Sequence, residues 1–164
     1  MSCDMPDATT DALAREGSDA APAPARREGA PDMVRYLPAF MLITDISFML
    51  YWTMVFFRLL PDEYLFSDYK NPVVSDWNYS FYPLDLLISL TGLVSIALWR
   101  RGADSWRPLC LVSLTLTFCS GLQAIAFWAL RGEFDLGWWA VNIFLMIYPV
   151  VFSHKLVAQF HGKS

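Results

Sequence analysis

Apolar and polar positions separate into blocks along this chain. After Tyr36, four long apolar runs, at about 36–60, 83–99, 108–130 and 138–160, alternate with polar stretches. Each run approaches the roughly 20 residues that a helix needs to cross about 30 Å of hydrocarbon. The pattern predicts an all-α, polytopic membrane protein: an antiparallel four-helix transmembrane bundle at 33–164 behind a disordered tail at 1–32. Pro38 and Pro83 suit the opening turns of the first two spans, where a missing amide donor costs little. The connections at 100–107 and 131–137 are short, so spans two, three and four must run antiparallel as neighbours. Trp138-Trp139 opens the fourth span, and Pro149 predicts a kink within it.

Two stretches do not fit the block pattern. Met1–Asp32 is rich in Ala, Pro, Asp and Arg; it has no apolar run long enough for a signal-peptide core, and its composition predicts a disordered cytoplasmic tail. Residues 61–82 interleave seven aromatic residues with Asp62, Glu63, Asp68, Lys70 and Asp76. The stretch has no clear periodicity and reads as a loop lying on the membrane surface, where aromatic rings satisfy both an apolar body and a polar edge.

Composition strengthens the membrane reading. The chain is 55% hydrophobic and 17% charged, against about 25% charged in a typical soluble domain. The net charge of −4 hides an alternation. Arg26, Arg27 and Arg35 precede span one, Arg100, Arg101 and Arg107 fill the second connection, and Lys155 and Lys163 flank the C-terminus; the first and third connections are mainly acidic. The positive-inside rule then predicts a multi-pass protein of the cell membrane with both termini cytoplasmic. No basic face accompanies the aromatics, which excludes a nucleic-acid partner. Cys3, Cys110 and Cys119 form no CxxC motif and read as thiols, Cys119 as a small core residue.

The segments LITDISFMLYW and EYLFSDYKNPVVSDWNYSFYPLDLLISLTGL, with the apolar hairpins after them, resemble the YvaD-like family of small bacterial four-span membrane proteins. The second segment is the specific one, because its order of aromatics, Asn, Pro and Asp is hard to obtain from hydropathy alone. The resemblance runs from about Leu37 to Phe160, leaves the tail outside, and implies the four-span architecture rather than a reaction.

Ionisable and polar residues inside the spans are the candidates for function. A carboxylate at mid-span costs about 2.5–3.5 kcal/mol to insert, so Asp45 must face protein or water. It lies roughly 14 Å into span one, and Ser95, Thr117 and Tyr148 fall at a similar depth, giving a hydroxyl layer around one acid. That layer reads either as a protonatable ligand site or as a packing device. Asp85 suits the start of span two, where the helix dipole favours an acid. With Gln123 and Asn142 it could line an outer vestibule; the three could equally satisfy one another as interhelical contacts. His154 and His161 share a helical face but lack further ligands, so neither a metal nor another cofactor is expected.

These readings rank three functions. The first is a non-enzymatic protein that binds or moves a small cationic or lipophilic ligand through the polar layer around Asp45. The second is a structural or regulatory membrane subunit without ligand, whose tail or aromatic loop meets a partner; a homo-oligomer is a separate expectation. The third is a lipid-modifying enzyme, placed last because no nucleophile–base pair or complete metal set is present.

Overall fold

A computed structural model describes residues 33–66 and 68–161, so the expected tail disorder lies outside the described residues. Five α-helices carry the fold: α1 (Leu37–Phe56), α2 (Pro72–Ser80), α3 (Tyr82–Arg100), α4 (Trp106–Arg131) and α5 (Leu136–His161). No strand occurs among the described residues. Four helical stretches are long and apolar enough to cross a membrane, the second being α2 and α3 together, which makes this a multi-pass membrane protein.

The helix ends follow from local chemistry. The chain reverses after α3 and α4 at Gly102 and Gly132, both left-handed (φ +71° and +68°). Glu133 N–H then reaches back to the Trp128 carbonyl at 3.1 Å and Gly132 N–H to Ala129 at 3.1 Å, a Schellman closure. α1 ends the same way without a glycine. Arg58 takes φ +47°, and Leu59 N–H bonds the Met54 carbonyl at 3.0 Å. This closure stops α1 at Phe56, four residues short of the apolar run that suggested Leu60. A non-glycine residue in this conformation costs about 1 kcal/mol or more. Arg58→Gly should therefore raise the unfolding free energy in detergent by about 1 kcal/mol; an unchanged value would mean that the turn is not held in the native state.

The connection between α1 and α3 differs from the expected irregular loop. It contains α2, which runs almost directly into α3. The Asn71 side chain accepts from Val73 N–H at 3.1 Å, and Pro72 occupies the first helical turn. This pairing of an Asx cap with proline at the first position is a helix-start signal present in the sequence. Leu65, Phe66 and Val74 are buried against Trp52, Val55 and Trp128, so the stretch caps one end of the bundle instead of resting on lipid. Trp77 stacks on Phe127, with centroids 3.8 Å apart. Beyond it, Arg131 lies over the Phe127 and Trp128 rings and pairs with Asp68 at 2.8 Å and Glu133 at 3.0 Å.

Within the bundle, α3 lies between α1 and α4, and α5 packs on the other side of α4. One stripe of α4 is buried and, apart from Leu114, small: Cys110, Ser113, Leu114, Thr117, Ser120, Gly121 and Ala124. A Cβ at Gly121 would stand 2.7 Å from the Asn142 carbonyl oxygen, so glycine sets the close approach of α4 and α5. Cys119 falls off the stripe and is exposed, whereas Cys110 is the core thiol. Pro149 is fully buried inside α5, and His154 is exposed.

Candidate functional site

Two layers of polar groups occupy the interior at different heights. The first centres on Asp45, which is 1% exposed. Its carboxyl group lies directly on the backbone of Gly92 in α3. A Cβ there would meet Cγ and Oδ1 of Asp45 at 2.9 Å and Oδ2 closer still. Oδ2 has no hydrogen-bond partner among the described residues. Ser89 Oγ donates to the Asp45 backbone carbonyl at 3.4 Å, and Ser113 Oγ to the Ile88 carbonyl at 3.4 Å, which ties α1 to α3 and α3 to α4. The Tyr148 hydroxyl lies beside Thr44 and Thr117. Thus Asp45, Thr117 and Tyr148 come together in one closed layer, as their depths suggested. Ser95 instead lies toward the arginine-bearing turn, where its hydroxyl donates to the Trp106 carbonyl at 3.0 Å.

The second layer centres on Asp85, 4% exposed. Its position in the first turn of α3 agrees with a helix start, but its amide is already bonded to the Phe81 carbonyl at 2.8 Å. The carboxylate works across helices: Trp52 Nε1 of α1 donates to Oδ2 at 2.9 Å, and Ser120 Oγ of α4 donates to Oδ1 at 3.2 Å. Nearby, the Tyr51 hydroxyl donates to Asn78 Oδ1 at 2.9 Å, and Asn78 Nδ2 has no partner among the described residues. Asn142 Nδ2 donates within α5 to the Trp138 carbonyl at 2.8 Å.

Asp85, Asn78 and Asn142 line a cavity of about 790 Å³. Its position follows from the packing order, since α1 and α5 are the outer members of the row. Near the arginine-bearing end their seam is closed by Phe40, which meets Phe144, Tyr148 and Phe152 with centroids 5.3–6.1 Å apart. Toward the other end it is bridged by Tyr51 and Trp138, 6.5 Å apart. Between these contacts the seam opens. Ile43, Ser47 and Phe48 form one wall and Val141, Phe144 and Leu145 the other, with Ser120 and Ala124 behind. Ile43 and Val141 are 63% and 57% exposed, so the walls lead out to the lipid-facing surface.

Asp45 is not among the cavity's lining residues; Thr44, its neighbour, is. Gln123 is exposed on α4 and does not join Asp85 and Asn142. Sequence reasoning missed Trp52, Ser120, Tyr51 and Asn78. Ser120 and Asn78 carried the only available signal, as polar residues within or beside apolar runs.

The model of a family of unknown function, DUF5360, matches residues 37–162. The chain belongs to that family. It is also 47% identical over 126 residues to the uncharacterized protein YvaD of Bacillus subtilis (strain 168), an alignment that covers 77% of this chain and 95% of that protein. This agrees with the resemblance drawn from the segments at 42–52 and 63–93, and the match to family DUF5360 likewise begins at Leu37, at the start of α1. No solved structure matches the chain.

Proposed function

We propose that this protein binds a small lipophilic molecule, which enters sideways from the bilayer through the seam between α1 and α5. The observation that carries this reading is the cavity itself. At about 790 Å³ it falls within the roughly 300–1,000 Å³ of small-molecule sites, and it has their makeup: apolar walls with a few convergent polar groups. A subunit whose polar residues served packing alone would close this space, because unfilled volume forfeits dispersion contacts. The site is centred on Asp85, one layer away from Asp45.

The arrangement of charge supports an orientation. Arg35, Arg100, Arg101, Arg107 and Lys155 gather at one end of the bundle and Glu63, Asp68, Asp76, Glu133 and Asp135 at the other. On the positive-inside rule the arginine end is cytoplasmic, and the cavity opens into the outer half of the inner membrane.

Photolabelling in nanodiscs with a neutral alkyl diazirine tests the reading. Adducts should concentrate on Ser47, Phe48, Val141 and Phe144, and excess unlabelled alkane should remove them. Even labelling of every lipid-facing helix, unaffected by competitor, would contradict it.

A further inference from the structure

We infer that the cavity selects an amphiphilic cation, an alkyl chain carrying an ammonium head, with the head drawn to Asp85 and the chain lying along the seam. The inference rests on the lipophile-binding reading and specifies its ligand. Two observations support it.

The first is charge. The only carboxyl groups among the lining residues are those of Asp85 and Asp135, and no Lys, Arg or His lines the cavity among the described residues. Asp85 sits inside the bundle, and Asp135 stands at the end of the cavity where it accepts from Trp138 N–H at 2.8 Å as the cap of α5. Each oxygen of Asp85 receives one donor, from Trp52 and from Ser120, the arrangement suited to a carboxylate acting purely as acceptor. Both donors are neutral, and no ion pair among the described residues involves the group. In surroundings of low dielectric, an unbalanced carboxylate attracts a cation far more strongly than it would in water.

The second is the aromatic character of the lining. Tyr51, Trp52, Trp77, Phe81 and Trp138 all line the cavity. Aromatic faces attract ammonium groups, by about 2 kcal/mol or more when both are desolvated, and collections of such rings recognise quaternary ammonium ligands.

A charge series on one alkyl chain tests the proposal. Dodecyltrimethylammonium, dodecanol and dodecyl sulfate are titrated calorimetrically, at submicellar concentration, into the full-length protein in nanodiscs, with empty nanodiscs subtracted. The cation should bind at least about tenfold more tightly than the alcohol, and the sulfate more weakly than either. Asp85→Asn should abolish the advantage of the cation over the alcohol. Equal binding of all three, or a cation preference that survives Asp85→Asn, would overturn the inference while leaving lipophile binding intact. Failure of all three to bind would overturn both. The series on the unsubstituted protein decides the matter even where Asp85→Asn does not fold.

Discussion

Replacing Gly92 by alanine is expected to destabilise the bundle by about 2 kcal/mol, although the same change in an exposed helix would gain roughly 1 kcal/mol from propensity. The sign reverses because of what lies opposite. The Asp45 carboxyl group occupies the space that a methyl group would take, with Cγ and Oδ1 2.9 Å from the built Cβ. Asp45 is buried on all sides and its backbone carbonyl is held by Ser89, so the side chain cannot swing out without parting α1 from α3. The effect must therefore depend on Asp45. In an Asp45→Ala background the obstacle is gone, and Gly92→Ala should be neutral or stabilising. A double-mutant cycle, followed by thermal unfolding in detergent, should give a coupling of about 2 kcal/mol. Additive effects would show that the two residues are not packed together.

Truncating Asp85 to alanine is the second large perturbation. It leaves the Trp52 indole N–H and the Ser120 hydroxyl without their acceptor in the bundle interior. One interhelical hydrogen bond in a membrane averages roughly 0.6 kcal/mol. Here two donors lose a carboxylate at once, and three helices lose their common tie, so the expected cost is about 2–3 kcal/mol. Asp85→Asn keeps one acceptor oxygen and should cost about 1 kcal/mol. Removing Trp52 first, as Trp52→Phe, should reduce the cost of Asp85→Ala. If Asp85→Ala were as stable as the parent protein, the carboxylate would not hold α1, α3 and α4 together.

The two acids also show which features a one-dimensional reading reaches. The spans were legible because apolar runs and arginine-bearing ends leave few alternatives in lipid. Depth was legible too: a rise of about 1.5 Å per residue placed Asp45, Thr117 and Tyr148 at one level, and they meet there. Azimuth was not. In a soluble helix the polar face marks the outside, but around a membrane helix lipid and core are both apolar, so that cue is lost. The sequence accordingly points Gln123 and Cys119 inward, whereas both are exposed on α4. The small-residue stripe of Ser113, Thr117, Ser120 and Gly121 would have been the better guide to the buried face.

Asp85 illustrates a different limit. A carboxylate in a first helical turn has a sufficient local explanation, and its partners lie 33 and 35 residues away on other helices. Nothing short of the packing reveals that it bridges three helices and also lines a cavity. The α2 helix, by contrast, was signalled by Asn71-Pro72 but masked by the aromatics and charges around it.

The opening between α1 and α5 is what separates a ligand-binding protein from a packing subunit, and filling it is the direct test. Ser47 is exposed on the α1 wall, so Ser47→Trp can place an indole in the seam without disturbing the polar layers. The variant should keep the parent's melting temperature and lose at least about tenfold in affinity for dodecyltrimethylammonium and dodecanol alike. A Ser47→Trp protein that folds normally and binds both probes as well as the parent would contradict the account.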